Sequence, residues 1–369
     1  MTNTRALHQP DAPLIALVCM LLGAGLIALS SASAETSMRV FGTSYGFVEH
    51  QLLFGILPGL AGMAFFYFIP HTTVRSFALP FFLGSIFLLI LAFVPAFSYS
   101  AGGAQRWVQF GELSIQPAEL TKLSFIIYIA AWLAGRKKQV VSTAEGLLPF
   151  LGLLGILAVF LILQPDISTL GIIAIIACAM YFAAGARLLH MVAIALLGVG
   201  ALAILVWSAP YRMERVMTFL NPGSDPQGAS FQTQQALVAV GSGGTWGMGL
   251  GASNQNSILP EPVGDSIFAI WSEETGFAGS LFLVALFLLF AWRGFLIARA
   301  TSDRFAHVAA VGIVVWISVQ AYINIASTVG VIPLSGIPLP FMSYGGSAMA
   351  ANLSACGLLF HISRYAKFS

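Results

Sequence analysis

The chain is predicted to be an all-α polytopic membrane protein, with ten transmembrane helices and one long extracytoplasmic loop between the seventh and the eighth. Three observations predict this. Of 369 residues, 58% are hydrophobic and only 8% carry charge, whereas a soluble domain carries charge on roughly a quarter of its residues. The apolar residues come in uninterrupted runs, not in alternation, which argues for helices over a β-barrel. Ten of the runs approach the length, about 20 residues, that a hydrocarbon core about 30 Å thick demands. The net charge of +2 is too small to suggest nucleic acid as a partner.

Taken in order, the expected spans are 13–32, 49–69, 74–95, 117–134, 147–164, 168–186, 188–208, 274–296, 307–330 and 345–362. The first ends in Ala32-Ser33-Ala34, which mimics a signal-peptidase site. It is long for a signal peptide, and Arg5 before it is offset by Asp11, so a retained first span is expected. Residues 34–47 and 96–116 read as external loops, GRKKQ at 135–139 as a cytoplasmic anchor, and Gln164-Pro165-Asp166 as a tight external turn. The prolines and glycines of VIPLSGIPLPFMSYGG (331–346) prevent a regular helix, so an irregular or re-entrant segment is expected there. Broken backbone at that depth must line a cavity or be covered by protein. The whole chain, 1–369, reads as a single membrane domain.

Lysine and arginine fix the orientation. With the N-terminus inside, the cytoplasmic segments collect Arg5, Arg75, Arg136, Lys137, Lys138, Arg187, Arg293, Arg299, Arg304, Arg364 and Lys367, eleven of the sixteen basic residues. The outside receives Arg39, Arg106, Arg212 and Arg215. The positive-inside rule therefore puts both termini in the cytoplasm.

This orientation turns a polar island, Pro210 to Glu274, outward and away from cytosolic nucleotides. The island holds six of the fourteen acidic residues (Glu214, Asp225, Glu261, Asp265, Glu273, Glu274), two arginines, glutamines at 232, 234 and 235, and a glycine run from Gly241 to Gly251. Chemistry concentrates on loops carried by a rigid scaffold. Asp265, stiffened by Pro260 and Pro262 and next to Gly264, could serve as a general base or bind a divalent cation. Glu273 and Glu274 read instead as acids at a helix N-terminus, favoured by the dipole. Arg106, Arg212 and Arg215 are either headgroup contacts paired with Glu112 and Glu214, or a bidentate grip on a phosphorylated ligand. Glu119 and Lys122, three apart on one face of the fourth span, are either a structural ion pair or a functional one.

Other readings are excluded. GSGGTWGMGLG has no Gly-Lys-Ser/Thr for a P-loop and no preceding strand for a dinucleotide fingerprint, so tight backbone packing accounts for it. The six histidines show no metal-ligand spacing. Cys19, Cys178 and Cys356 each sit alone in a span and signal no disulfide.

Six strings together resemble one family: GAQRWVQFGELSIQPAELTKL (103–123), QPDISTLGI (164–172), APYRMERVMTFLNPGSDPQGASFQTQQALVAVGSGG (209–244), GMGLGASNQNSILPEPVGD (247–265), SEETG (272–276) and PLSGIPLPFMSYGGS (333–347). They are similar, in order and over nearly the whole chain, to the SEDS family, which comprises the ten-span peptidoglycan polymerases FtsW, RodA and SpoVE. AELTKL, the PYR…NP…DP segment and the GLG stretch look more like the FtsW branch. The resemblance implies a bacterial cytoplasmic-membrane glycosyltransferase that polymerises lipid II outside the membrane, for septal wall synthesis in cell division. The alternatives are a lipid II flippase, a RodA-type polymerase for elongation, or a scaffold that recruits a transpeptidase.

By position, the resemblance makes Asp265 the catalytic aspartate and matches Glu119 and Lys122 to a fourth-span acid and base. It matches Arg106 to an external-loop arginine and Ser343 to Ser347 to a SYGGS turn. Substrate contacts are thus expected from Arg106, Glu119, Lys122, Arg212, Arg215, Ser343 and Gly345. The expected partners are a class B penicillin-binding protein, other divisome membrane proteins and membrane lipid. No cofactor is required, or else one divalent cation, Mg²⁺ or Mn²⁺, on Asp265. The chain departs from the family in reading Gly264-Asp265-Ser266 for Thr-Asp-Phe, Pro262-Val263 for Ala-His, and Thr275 for leucine.

Overall fold

The computed structural model describes residues 8–101, 104–111, 113–221 and 230–367; Arg5, Glu112 and Asp225 lie outside them. α1 (Ala12–Phe41) is followed by α2 (Gly46–Gln51), which runs through a π-helical turn into α3 (Leu57–Phe68). Next come α4 (His71–Ser76), α5 (Ala78–Leu91) and a three-stranded antiparallel sheet of β1 (Ser98–Ala101), β2 (Ala104–Phe110) and β3 (Leu113–Ile115), in the order β1-β2-β3. Then follow α6 (Pro117–Gly135), α7 (Leu148–Leu163) after a second π-helical turn, α8 (Ile167–Ala183) and α9 (Leu188–Trp207). The polar island contributes α10 (Pro210–Leu220) and α11 (Phe231–Ser242). The chain closes with α12 (Ile267–Ala300), α13 (Arg304–Thr328) and α14 (Gly346–Ser363).

A helix stands at each of the ten expected positions. Seven helical stretches are long and apolar enough to cross a bilayer, and Ala78–Leu91 and Ile167–Ala183 are apolar but shorter. The remaining one, Gly346–Ser363, is more polar and almost wholly buried.

Helix starts follow local chemistry. Asp11 caps α1 by accepting from Leu14 N at 2.9 Å, Asp166 caps α8 from Thr169 N at 3.2 Å, and Asp303 caps α13 from Ala306 N at 2.9 Å. Pro117 and Pro210 occupy first turns, where a missing N–H costs nothing. Among the span-length helices α13 and α6 are the most buried and α9 the least. α13 packs on α6, α8 and α12, while α14 lies along α3. The last contact is close because it is built on glycine: a Cβ at Gly59 would meet Leu353 Cδ1 at 2.7 Å, and one at Gly357 would meet Met63 O at 2.2 Å. Small residues are how helices gain van der Waals contact without a hydrophobic drive between them. Asp11 also accepts from Arg293 at 2.6 Å, joining α1 to α12 at the end opposite the polar island.

Three expectations are corrected. The stretch read as a plain loop, 96–116, holds the sheet, with Tyr99 opposite Trp107 and Val108 opposite Ile115. Its signal was β-rich composition after Gly102-Gly103. The eighth helix begins at Ile267 instead of 274 and breaks at Gly276, whose φ of 68° and ψ of −165° are not helical. Glu273 and Glu274 consequently lie two turns inside α12, where no N-terminal dipole reaches them.

Candidate active site

Asp265 ends the loop that leads into α12, one residue before its N-cap Ser266. It is fixed from three sides. Its Oδ1 accepts from Gln232 Nε2 on α11 at 3.3 Å, and its carbonyl accepts from Asn324 Nδ2 on α13 at 2.8 Å. The same Asn324 amide also donates to Ile337 O at 2.8 Å, which ties the aspartate to the irregular 331–345 segment. From that segment Ser343 Oγ donates to Gly264 O at 2.6 Å, and Tyr344 N donates to Val263 O at 2.8 Å.

The carboxyl group is half-buried, and burial is the main reason its pKa is pushed up to about 6, with the Glu261 carboxylate adding to the rise. Its own backbone hydrogen bonding, Arg215 and the Gln232 hydrogen bond act in the opposite direction. Arg215 comes from α10 and donates to Leu334 O at 3.4 Å. Gly336 lies between the two charges: a Cβ there would sit 3.8 Å from Asp265 Oδ2 and 4.0 Å from Arg215 Nη1. Its φ of +63 is a second reason for glycine.

Two cavities meet at Arg215. One, of about 390 Å³, has Arg106, Arg212 and Arg215 at its polar rim and Ile172, Ile175 and Leu202 along its apolar wall. Ile175 and Leu202 are partly exposed on the outer faces of α8 and α9, so this cavity opens toward the lipid. The other, of about 380 Å³, is lined by Tyr211, Glu214, Gln232, Thr233 and Pro260. Tyr211, Arg215 and Leu334 belong to both.

The expected site residues thus divide into two groups. Arg106, Arg212 and Arg215 line the cavities, and Asp265 lies just behind their walls, against Gln232 of one and beside Gly336 of the other. Arg106 reaches its place on β2 by donating to the carbonyls of Gln164 (3.0 Å) and Pro165, the turn before α8. Arg212 does so by donating to Leu205 O at 2.8 Å and Tyr211 OH at 2.9 Å. Neither arginine is held by Glu214.

Glu119, Lys122, Ser343 and Gly345 line neither cavity. Lys122 Nζ donates to Glu119 Oε1 at 2.8 Å and to Gln320 Oε1 at 2.7 Å, with both charged side chains no more than 2% exposed. Gln320 in turn accepts from Trp316 Nε1 at 2.8 Å and donates to Pro338 O at 2.9 Å. Of the two readings of this pair, the geometry supports the structural one: it braces α6, α13 and the irregular segment beneath the site. Ser343 accepts from Leu339 N at 2.8 Å besides bonding Gly264, and Gly345 N donates to Gln51 Oε1 at 3.0 Å. They shape the floor of the loop. Sequence reasoning gave no role to Gln232, Asn324, Gln320 or Tyr211, because single polar residues within helices carry no spacing signal.

A cage for a divalent cation is not built from side chains alone: no group of three or more His, Cys, Asp or Glu converges among the described residues. Mg²⁺ needs only one or two carboxylates when substrate phosphates complete its shell, and Asp265 with Glu261 would be the residues to offer them.

Comparison with known proteins agrees with this architecture. Residues 12–368 match the FtsW/RodA/SpoVE family, described as cell cycle protein. Stage V sporulation protein E of Bacillus subtilis is 40% identical over 362 residues, covering 98% of both chains. The probable peptidoglycan glycosyltransferase FtsW of Geobacter sulfurreducens is 34% identical over 365 residues, covering 98% of this chain and 97% of its own. Among solved structures, a chain from a study of polymerization and crosslinking by a peptidoglycan synthase complex superposes with a TM-score of 0.79 at 27% identity, over 96% of this chain and 98% of that one. A rod shape determining protein RodA of Thermus thermophilus superposes at 0.68 and 25% identity, over 98% and 99%. A multi-pass helical chain with this match along its length belongs to the FtsW/RodA/SpoVE family.

Proposed function

We propose that this protein is a peptidoglycan glycosyltransferase that polymerises lipid II on the outer face of the bacterial cytoplasmic membrane, with Asp265 as general base. One observation carries the reading. A carboxylate with a pKa near 6 lies across Gly336 from the Arg215 guanidinium, and at Arg215 a lipid-opening cationic cavity meets a polar one. The lipid-opening cavity suits a polyprenyl pyrophosphate, with its tail along Ile172, Ile175 and Leu202 and its phosphates toward Arg106, Arg212 and Arg215. The polar cavity suits sugar.

In the reaction, the acceptor hydroxyl attacks the anomeric carbon of the donor sugar as its proton passes to the Asp265 carboxylate. The new C–O bond forms as the bond to the pyrophosphate oxygen breaks. The electron pair leaves with the pyrophosphate, whose charge the arginines stabilise. A single displacement with one base inverts the anomeric centre, and the leaving group needs little acid help. Proton transfer to a placed base contributes about 10²–10⁴-fold. Mg²⁺ or Mn²⁺ on Asp265 would add positive charge beside the pyrophosphate, and polymerisation with and without EDTA tests for it.

The relatives named FtsW support a septal role. A similar chain described within a peptidoglycan synthase complex supports a class B penicillin-binding protein as partner. The positive-inside bias supports cytoplasmic termini with the site outside. The deciding experiment supplies lipid II to the purified protein, with the partner present, and compares wild type with Asp265→Ala. Loss of glycan chains in the variant is expected, and polymerisation at the wild-type rate would remove Asp265 from the mechanism. A flippase would retain transport in Asp265→Ala and lose it in Lys122→Met.

A further inference from the structure

Glu273 and Glu274 line neither cavity, yet they are buried to 1% and 3% exposure. Adjacent carboxylates in such a place require hydrogen-bond donors. All but one of the donors found for them come from one stretch of loop. Glu273 accepts from Ser253 Oγ at 2.5 Å, Asn254 N at 3.2 Å and Gln255 N at 3.4 Å. Glu274 Oε1 accepts from Gly251 N at 3.1 Å and from Ser31 Oγ of α1 at 2.6 Å.

The break in α12 makes room for this. At Gly276 the carbonyls of Glu273 and Glu274 are released to accept from Met248 N and Gly249 N, each at 3.0 Å. Beyond it, Phe277 N and Ala278 N donate to Gly244 O at 2.9 Å and Thr245 O at 3.1 Å. Only glycines mesh at this distance: a Cβ on Gly276 would lie 2.3 Å from Gly247 N, and one on Gly247 would lie 2.1 Å from Glu274 O. The stretch so held continues directly to Asp265. Gln255 O accepts from Ile258 N and Leu259 N, Leu259 is buried, and Pro260 O accepts from Ser266 Oγ at 3.3 Å.

We infer that Glu273 and Glu274 are positioning residues, a paired-carboxylate clamp that sets the pose of Asp265 by fastening residues 251–255 to the break in α12. The inference rests on Asp265 being the base. The clamp grips backbone amides of its own chain and leaves α8, α9, α10 and residues 333–337 as they are, so it governs the chemical step and not substrate capture. In Glu273→Gln an amide NH₂ replaces one acceptor oxygen and opposes either the Asn254 N–H, which donates to Oε1, or the Gln255 N–H, which donates to Oε2.

The test uses the full-length protein in nanodiscs, with fluorescent lipid II as substrate and hydrogen–deuterium exchange on the same samples. For Glu273→Gln and Glu274→Gln, kcat is expected to fall about 10- to 100-fold, the scale of a misplacement near 1 Å. KM should stay within about twofold, a split that marks loss of transition-state interactions alone. Deuterium uptake should rise in 247–259 and not in α13. Unchanged kcat, a rise in KM matching the fall in rate, or unchanged uptake in that loop would each overturn the clamp. Should the glutamine variants fail to fold, Ser253→Ala and Ser31→Ala each delete one neutral donor and must show the same pattern at smaller amplitude. Wild-type behaviour in both would count against it. The exchange measurement reads the clamp without turnover, so if wild type makes no polymer the glycosyltransferase reading fails while the clamp is still decided.

Discussion

Replacing Glu261 with glutamine should extend polymerisation to lower pH. Asp265 carries a pKa of about 6 against an ordinary 3.8, so at pH 7 the carboxylate outnumbers the acid by roughly ten to one, and below pH 6 the base is progressively lost. Burial is the largest cause and survives the substitution. The second is repulsion from Glu261, an exposed side chain on the same loop. The other neighbours, Arg215 from α10 and Gln232 from α11, act downward and also remain. Two like charges about 4 Å apart in water repel by about 1 kcal/mol, which corresponds to about 0.7 of a pKa unit. Removing the negative charge of Glu261 eases ionisation of Asp265, so the acid limb of kcat/KM should shift downward by roughly half a unit. The assay is the rate of glycan formation from lipid II between about pH 4.5 and 8. An acid limb that stays in place or moves upward would refute the placement of the base, as would a wild-type profile with no limb near pH 6.

Three further outcomes follow from the same geometry. Asp265→Asn should raise thermal stability at pH 7, because a carboxyl group with a raised folded pKa favours the native state only while protonated. That contribution is complete below about pH 4 and lost as pH passes 6, up to about 3 kcal/mol, so melting curves of variant and wild type should converge in acid. Arg215→Met should lower kcat by about 10²-fold, as loss of one charge-stabilising donor does, and should move the acid limb upward, since Arg215 holds the Asp265 pKa down; a limb displaced to lower pH would contradict the pairing. Lys122→Met should cost about 3–5 kcal/mol because it strands Glu119 in the protein interior, and adding Glu119→Gln should recover much of the loss in melting temperature.

The sequence made the helices legible for a reason particular to membranes. A bilayer imposes a fixed length and forbids unpaired backbone, so apolar runs announce themselves wherever they stand. The same uniformity hides what lies between them. α12 begins at Ile267 inside the polar island because Ser272, Glu273 and Glu274 are buried by protein rather than lipid, and hydropathy cannot tell those surroundings apart. The sheet at 98–115 was masked by its brevity. Asp265 stood out through its prolines and its family motif, and Arg106, Arg212 and Arg215 through their rarity outside. Asn324 and Gln320 were silent because each works through one side-chain amide, donating to a carbonyl of the irregular segment more than ten residues along the chain.

Those two amides show how a membrane protein can hold a reactive carboxylate without burying it fully. Apart from the turn in which Met342 N and Ser343 N donate to Leu339 O, the irregular segment is not helical, and at this depth its other carbonyls need donors. Asn324 serves Ile337 O and Asp265 O together, and Gln320 serves Pro338 O from the buried lysine pair. Satisfying the segment and aiming the aspartate are therefore one structural act. The strain is visible one turn away, where Phe341 adopts a φ of 65°, costly for a side chain of that size. A substitution at Asn324 should on this account act at two distances at once: Asn324→Leu should reduce polymerisation and also loosen residues 333–345 in hydrogen exchange. Loss of activity with an undisturbed segment would separate the two functions assigned to that amide.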